Sequence, residues 1–287
     1  MTGPGDLAYA GSTAAVHPIT SPRQRLQAQL AAPLPERPEL VLVTDLDGTL
    51  LEGEQEERRR FYAWLASRRQ QVLHVFSTGR SLESIAEVLE QDEPTGLHPP
   101  HLVIGDVGCT VACGRSLQPL PLALEPIEAR WQGLQERLEP LLQGQPGLTL
   151  QPRATNRRLA YLVDVEVFDR ALIPRLEAAG ADCVLSGDRY FDVLPPGVNK
   201  GSTLLALLEW LELDGRQVVT AGDSLNDLAM FETGLAGVMV GNAEPDLVAA
   251  LPRLPSVYRA RAEGCAGIAE GLVHFGYGHL LSGGGGW

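Results

Sequence analysis

The chain alternates short apolar runs with amphipathic stretches over most of its length, a pattern typical of α/β proteins. The first run, residues 39–45, predicts a buried strand, and Gln55–Arg69 predicts a helix with one apolar stripe. Further strands are predicted at 72–76, 102–104, 217–220, 237–240 and near Val257, and further helices at 81–89, 200–213, 225–231, 245–251 and 265–275. This alternation favours a Rossmann-like, doubly wound parallel sheet with helices on both faces.

The rhythm changes between residues 115 and 195. Here a helix containing Trp131 is followed by strands of alternating character and a second helix, which predicts an antiparallel sheet covered on one face. We therefore expect an α+β domain inserted into the α/β core. The predicted division is a core of residues 38–114 and 196–277, an inserted domain of 115–195, and flexible ends at 1–37 and 278–287. Within the first end, Arg23–Ala31 has the composition of a short helix.

Two carboxylates follow the first predicted strand, in the run Val41–Leu50. Asp45 and Asp47 are two residues apart, so they leave the strand on the same side, at the carboxyl end where α/β sheets bind ligands. Like charges this close repel unless a cation or a shared proton intervenes. The run therefore indicates a Mg²⁺ site with one carboxylate free to attack phosphorus. A simple strand followed by an Asp-Gly turn at Gly48 is the alternative.

Two candidate phosphate ligands lie where predicted helices begin. Thr78 and Gly79 follow a strand and open a helix, where a hydroxyl and free N–H groups form an anion site; an ordinary helix cap is the alternative. Lys200 begins another helix, although cations are disfavoured at that end by the helix dipole. A phosphate ligand explains this placement better than a solvated surface lysine.

A second group of carboxylates follows the strand at Val218–Thr220. Asp223 is placed to cap the next helix, and Asp227 lies one turn further on the same face, with Asn226 between them. Four carboxylates at two strand ends need a divalent cation, and oxygen-only ligands favour Mg²⁺ over zinc.

Composition narrows the classes of function. The chain has 287 residues, 44% of them hydrophobic, and a net charge of −13, which argues against nucleic-acid binding. No apolar run approaches the ~18 residues of a membrane span, and no signal-peptide pattern opens the chain. The four cysteines are scattered, which favours free thiols in a reducing cytoplasm, and we expect a monomer or weak dimer.

The chain contains four polar segments in this order: Asp45 with Asp47, Thr78 with Gly79, Lys200, and Asp223 with Asp227. Together they resemble the haloacid dehalogenase superfamily of phosphohydrolases, and the insert resembles the C2-type cap of that superfamily. Within that superfamily the chain is most similar to sucrose-phosphate phosphatases. The similarity is carried by these stretches: Ser77–Ser81, Phe191–Pro195, Asn199–Gly201, Gly222–Ser224, Asn226–Asp227, Met230–Thr233, Gly237–Val240, Asn242–Ala243, Tyr258–Ala260, Ala266–Ile268 and His274–Phe275. The chain departs from the pattern of those relatives at Gly48–Thr49–Leu50 and in the strand from Leu159.

The resemblance implies a role for each of these residues. Asp45 attacks phosphorus and becomes an aspartyl phosphate, while Asp47 protonates the leaving oxygen and later activates water. Mg²⁺ is held by the Asp45 carboxylate, the Asp47 carbonyl and Asp223, with Asp227 as a direct or indirect ligand. The phosphate-binding residues implied are Thr78, Gly79, Lys200 and Asn226.

Candidates for sugar binding come from the insert and from one core loop. Arg80 faces either the cap or a surface acid, and the remaining candidates form either a sugar-binding stretch or a solvated loop: Arg153, Asn156, Arg157 and Arg158.

The leading hypothesis is a Mg²⁺-dependent phosphatase of a phosphorylated disaccharide, with sucrose 6-phosphate first. The alternatives are a phosphatase of mannosylfructose phosphate or of glucosyl- or mannosyl-3-phosphoglycerate, a sugar phosphomutase, and a silent, sugar-sensing partner of a glycosyltransferase. An active phosphatase that also binds a sucrose-phosphate synthase-like glycosyltransferase is compatible with the leading hypothesis.

Overall fold

A computed structural model describes residues 21–151 and 155–282 of the chain. Seven strands form the larger sheet: β1 Leu40–Thr44, β2 Val72–Ser77, β3 Leu102–Gly105, β4 Thr110–Cys113, β9 Val218–Gly222, β10 Ala236–Met239 and β11 Val257–Arg259. Their order across the sheet is β11-β10-β9-β1-β2-β3-β4, and all neighbours are parallel except β3 and β4. The predicted doubly wound α/β core is therefore confirmed, with one antiparallel edge strand that the sequence pattern did not predict.

Helices cover both faces of this sheet because its strands are apolar on both sides. The helices of the core are α1 Pro22–Gln27, α2 Gln55–Ser67, α3 Leu82–Gln91, α7 Lys200–Leu211, α8 Leu228–Phe231, α9 Pro245–Ala250, α10 Gly264–His274 and α11 Gly278–Leu281. Leu40 and Leu42 of β1 face the cluster formed with α2, α3 and α10, whereas Val41 and Val43 face the cluster formed with α1 and α7. This alternation within one buried strand is what a sheet between two helical layers requires.

Strand order reverses at β1, which lies between β2 and β9. Loops that leave the carboxyl ends of two such strands diverge to opposite sides of the sheet, which opens a crevice between them. The segments after β1, β2 and β9 all emerge at this point.

Four antiparallel strands form the second sheet: β5 Leu148–Leu150, β6 Leu159–Val163, β7 Asp182–Ser186 and β8 Tyr190–Leu194, in the order β5-β6-β8-β7. Three helices accompany them: α4 Pro121–Trp131, α5 Leu134–Leu142 and α6 Leu172–Ala178. One face of the sheet packs on these helices through a cluster that includes Trp131, Leu138, Leu176 and Phe191. The sheet lies within the predicted insert; the boundaries of core and insert stay a prediction.

Both ends of the described chain are packed, which differs from the flexible ends expected from the sequence. Leu26 of α1 and Leu34 are buried, and Arg23 donates to the carbonyl oxygens of Pro35 (3.0 Å) and Glu36 (2.9 Å). At the other end, the carbonyl oxygen of Leu280 accepts a bond of 2.8 Å from the Trp64 indole. Residues 1–20 and 283–287 lie outside the described residues.

None of the helices between residues 21 and 151 or between 155 and 282 combines the length and apolarity of a bilayer crossing. All four cysteines are free thiols, as predicted.

Candidate active site

The segment after β1 forms a tight loop around Asp223. Gly48 has φ +71°, and a Cβ added to it would lie 2.3 Å from Asp223 Oδ2, so glycine is required both for the backbone and for the close approach. Asn242 Nδ2 donates a bond of 2.6 Å to the Gly48 carbonyl, and Thr49 Oγ1 donates one of 2.6 Å to Asp223 Oδ1. The turn is therefore part of a built site, which rules out a simple Asp-Gly turn.

Lys200, the first residue of α7, is completely buried and joins the segments that follow β1 and β9. Its Nζ lies 2.8 Å from Asp45 Oδ1 and 2.6 Å from Asp227 Oδ1, and it also donates to Asn226 Oδ1. Burial alone would lower the pKa of Lys200, but the charges of Asp227 and Asp45 outweigh it and raise that pKa. The lysine is therefore a fixed cation in the floor of the site.

Three buried carboxylates surround that single lysine. Asp45, Asp223 and Asp227 each offer an oxygen within 4.8 Å of the others. Burial raises the pKa of Asp45 well above its usual range, and burial together with the charge of Asp227 raises that of Asp223 to about 7. The cluster is short of positive charge and offers only oxygen donors, so the residues present fit Mg²⁺.

The turn after β9 orients two of these carboxylates. Asp227 Oδ2 accepts the backbone N–H groups of Asp223 (3.0 Å) and Ser224 (3.1 Å), which fixes the short turn Leu225–Asp227. The predicted continuous helix over 225–231 is instead this turn followed by α8, because the cap pulls the first residues into a tighter winding.

Asp47 points away from the buried cluster and forms an ion pair with Arg80. Arg80 Nε lies 2.7 Å from Asp47 Oδ2, and Nη2 lies 2.6 Å from Oδ1, while Nη1 donates to Ser84 at 2.8 Å. Thr78 Oγ1 accepts the N–H of Arg80 at 3.2 Å. The sequence left open whether Arg80 faces the cap or pairs with an acid. In the structure it does both, because it pairs with Asp47 and also lines the cavity described next.

A cavity of about 550 Å³ lies between the core loops and the second sheet. The predicted site residues in its wall are Asp45, Asp47, Thr78, Gly79, Arg80, Arg158, Asp223 and Asn226. Lys200 and Asp227 lie beneath this wall, in contact with Asp45 and Asn226. The structure thus brings the predicted catalytic, metal and phosphate residues to one place.

The predicted sugar-binding stretch is only partly at this cavity. Arg158 reaches the wall, but its guanidinium is bound to Asp192, Asp106 and the Gly79 carbonyl. Arg157 instead binds the Cys109 carbonyl (2.9 Å) and Glu128 (3.1 Å), and Asn156 is exposed and outside the wall. Arg153 lies outside the described residues.

Several residues of the wall were not predicted: Ser84, Gln151, Ser186, Tyr190, Asp192, Ser224 and Glu244. Tyr190 and Asp192 are two apart in β8, so the period of a strand places them on the same face. Glu244 follows β10 near its carboxyl end, the same position that identified the other core residues. The two-residue period of a strand and the position after a strand's carboxyl end could therefore have identified these residues from the sequence.

Comparison with known proteins assigns the fold to a class, the haloacid dehalogenase-type hydrolases. A sequence model of the sucrose-6F-phosphate phosphohydrolase family matches residues 38–276. The chain belongs to the sucrose-6F-phosphate phosphohydrolase family. The resemblance stated from the sequence is therefore confirmed.

The relatives differ in what their names describe. A glucosylglycerol-phosphate synthase of Pseudomonas anguilliseptica is 40% identical over 239 residues, covering 83% of this chain and 31% of that protein. The chain thus spans about a third of the length of that relative. A mannosylfructose-phosphate phosphatase of Agrobacterium fabrum is 32% identical over 251 residues, covering 84% of this chain and 98% of that protein. The solved sucrose-phosphatase of Synechocystis, in complex with sucrose and phosphate, has a TM-score of 0.74 and 27% identity, covering 83% of this chain and 98% of that one.

Proposed function

We propose that this chain hydrolyses the phosphate monoester of a small glycoside in two steps, through an aspartyl phosphate on Asp45. The observation that carries the proposal is the contact of Lys200 with both Asp45 and Asp227 in the floor of a cavity large enough for a glycoside. A buried carboxylate beside a fixed cation is a nucleophile that can approach an anionic phosphate.

The remaining roles follow from position. Asp47 lies at the cavity wall with more than half of its side chain exposed, where it can give a proton to the leaving oxygen and later take one from water. Thr78 and the Gly79 N–H would hold the phosphoryl oxygens from one side, and Asn226 from the other, with the Lys200 ammonium group directly beneath it.

Mg²⁺ would be held by Asp45, Asp223 and Asp227, with the Asp47 carbonyl as a further ligand. The ion would neutralise the charge of the phosphate as it approaches the Asp45 carboxylate.

Glucosylglycerol phosphate is the first substrate that we propose, because the synthase relative that carries this compound in its name is 40% identical to most of this chain. Sucrose 6-phosphate, the leading prediction from the sequence, is the second, because the family model and the solved sucrose-phosphatase support it. A glycosyltransferase that makes the phosphorylated glycoside is the proposed protein partner, and the oligomeric state stays a prediction.

The test is release of inorganic phosphate from a panel of esters, with Mg²⁺ and with EDTA. The panel contains glucosylglycerol phosphate, sucrose 6-phosphate, mannosylfructose phosphate and glucose 1-phosphate. We expect Mg²⁺-dependent release from one of the first three, with a kcat/KM at least tenfold above the others. Release of isomerised sugar phosphate without free phosphate would instead identify a phosphomutase.

A further inference from the structure

The cavity contains more acidic than basic side chains, and its cations are already paired. Arg80 uses two of its nitrogens on Asp47, and Arg158 is bound to both Asp192 and Asp106. Lys200, below the wall, is paired as well. Among the residues that the structure describes, the wall therefore has no unpaired cation for a second anionic group of a substrate.

Glu244 is a carboxylate of this wall that has no cationic partner within residues 21–151 and 155–282. Its Oε2 accepts only the N–H of Leu225, at 3.4 Å. The charged groups that act on it most are Asp227, Asp246 and Asp188, all of them acidic. Burial and these neighbours raise the pKa of Glu244, which reflects an environment unfavourable to negative charge.

Glu244 lies where the core meets the second sheet. Its backbone N–H donates to the Asp223 carbonyl at 2.8 Å, which ties it to the metal-binding turn. On the other side, a Cβ added to Gly187, in the turn between β7 and β8, would lie 3.5 Å from Glu244 Oε1. A glycoside attached to a phosphate at Asp45 would extend between these two loops, so it would pass beside the Glu244 carboxylate.

The groups that the second sheet contributes to the wall are neutral or neutralised. Gln151, Ser186 and Tyr190 offer hydroxyl and amide groups, and the charge of Asp192 is paired with Arg158. Arg189 is outside the wall, with its guanidinium 5.6 Å from the centre of the Tyr190 ring. Carboxylate, amide and hydroxyl groups of this kind bind sugar hydroxyls, whereas a substrate carboxylate would face Glu244 without a partner.

We propose that Glu244 is a specificity-determining residue, which accepts hydrogen bonds from the hydroxyls of an uncharged glycoside and excludes phosphate esters with a second anionic group. The inference rests on the proposed phosphatase function and narrows its substrate class. It disfavours glucosyl- and mannosyl-3-phosphoglycerate, which the sequence left open.

Two pairs of esters isolate the effect of one carboxylate. Glucosylglycerol phosphate synthesised with the C2 configuration of glucosyl-3-phosphoglycerate differs from that ester only in whether one terminal carbon is a hydroxymethyl or a carboxylate. Glucitol 6-phosphate and 6-phosphogluconate, which are both open-chain, give a second comparison that does not depend on the natural glycoside. In both pairs, we expect the wild-type protein to favour the neutral ester by at least about thirtyfold in kcat/KM.

The variant Glu244→Gln keeps the size of the side chain and one accepting oxygen, replaces the other oxygen by a donating NH2 group, and removes the charge. We expect kcat/KM for the acidic ester to rise at least tenfold, and that for the neutral ester to fall about threefold to tenfold, because its hydroxyls lose an anionic acceptor. Asp246→Asn is the matched control, because it removes the same charge from an exposed neighbour outside the wall. It should leave both values unchanged.

Each outcome decides a different claim. Equal hydrolysis of neutral and acidic esters would overturn the role of Glu244 and leave the phosphatase function standing. The role of Glu244 would also be overturned if Glu244→Gln and Asp246→Asn had the same ratio of kcat/KM between the neutral and the acidic ester. Failure to release phosphate from any ester, with Mg²⁺ present, would instead overturn the proposed function and this inference with it.

Discussion

At the scale of single residues, Lys200 shows how function overrides local preference. A cation at the first position of a helix opposes the helix dipole, and complete burial makes its charge more costly still. Both costs are offset because Asp45 and Asp227 bind its ammonium group directly. A residue that is unfavourable for its helix is thus explained only by the site that it completes.

Replacement of Asp45 by Asn should abolish catalysis without unfolding the protein. The amide keeps the shape of the side chain but cannot attack phosphorus, so we expect kcat to fall at least about a thousandfold. The melting temperature should stay within a few degrees, because the change removes one of three clustered carboxylates and so relieves repulsion. Phosphate release and circular dichroism measure the two effects.

Glu56→Gln, on the exposed side of α2, is the control for a charge change far from the site. Turnover by Asp45→Asn at more than a tenth of the wild-type rate would show that no aspartyl phosphate forms on this residue.

A buried histidine, His74, and a half-buried one, His101, predict a loss of stability in mild acid. Burial lowers the pKa of His74 to about 3 and that of His101 to about 4. In the unfolded chain both imidazoles titrate near pH 6.5. Below that pH the unfolded state therefore binds protons at these two histidines, whereas the folded state does not. The free energy of unfolding should therefore be independent of these groups above pH 6.5. It should fall toward pH 4, by up to about 1.4 kcal/mol per pH unit for each histidine.

Urea unfolding between pH 5 and 8 measures this effect. His74→Gln, which preserves a hydrogen-bonding partner for Thr44, should make the acid slope shallower by about one proton. His279→Gln, at an exposed site, is the control for a histidine-to-glutamine change elsewhere in the chain. An unaltered slope in His74→Gln would show that this histidine accepts a proton in the folded state.

At the scale of elements, the start of β6 docks onto the connection between β3 and β4. Arg157 binds Thr110 Oγ1 at 3.1 Å and the Cys109 carbonyl at 2.9 Å, while Arg158 lies 2.9 Å from Asp106 Oδ1. Arg158 also donates to the Gly79 carbonyl at 2.8 Å, in the loop proposed to bind phosphate. One side of the second sheet is therefore fixed to the core through buried ion pairs.

Removal of the Arg158 charge should destabilise the protein strongly. Arg158→Met leaves Asp106 and Asp192 buried without a cation, at a cost of about 3–5 kcal/mol, or roughly 6–20 °C in melting temperature. The triple variant Arg158→Met with Asp106→Asn and Asp192→Asn removes all three charges and should recover most of this loss.

Arg170→Met is the control, because Arg170 is an exposed arginine of the same region, 3.9 Å from Asp188. Thermal unfolding followed by circular dichroism measures all three proteins. A melting temperature of Arg158→Met equal to that of Arg170→Met would show that the buried ion pairs do not hold these elements together.

The same elements mark how far the fold could be predicted from the sequence. The core strands and the residues at their tips were predictable, because apolar runs and strand ends are local signals and the parallel order brings the tips together. β4 was not predicted because of the turn that precedes it. Asp106 and Val107 adopt left-handed φ values of 54° and 55° there, a conformation that is uncommon for residues other than glycine and is not expected from the sequence.

The rest depended on contacts between distant segments. Leu280 is buried only because Trp64 and its neighbours lie against it, and a short run before a glycine-rich tail gave no sign of that. Likewise, Arg158 pairs with acids 34 and more residues away, so its sequence neighbours suggested a solvated or sugar-binding loop instead. Which face of the second sheet meets the core is set by such long-range pairs.

At the scale of the whole molecule, charge is distributed so that a divalent cation bound in the site would also stabilise the fold. The chain has a net charge of −13, and three of its carboxylates are gathered around Lys200 in the buried floor of the cavity. Their repulsion is present in the folded state and absent in the unfolded chain. A cation bound there would stabilise the folded state specifically.

Mg²⁺ should therefore raise the melting temperature in a saturable manner. At a free concentration a hundred times its Kd, a ligand of the folded state adds about 2.7 kcal/mol, or roughly 5–10 °C for a chain of this size. Asp223→Asn should melt at or above the wild-type temperature without Mg²⁺, since it lowers the repulsion, and should lose most of the shift with Mg²⁺. NaCl at equal ionic strength separates binding from general screening of the net charge. A shift of equal size in wild type and Asp223→Asn would place the bound cation elsewhere on this acidic molecule, and the buried carboxylates would then have to be held by Lys200 and shared protons alone.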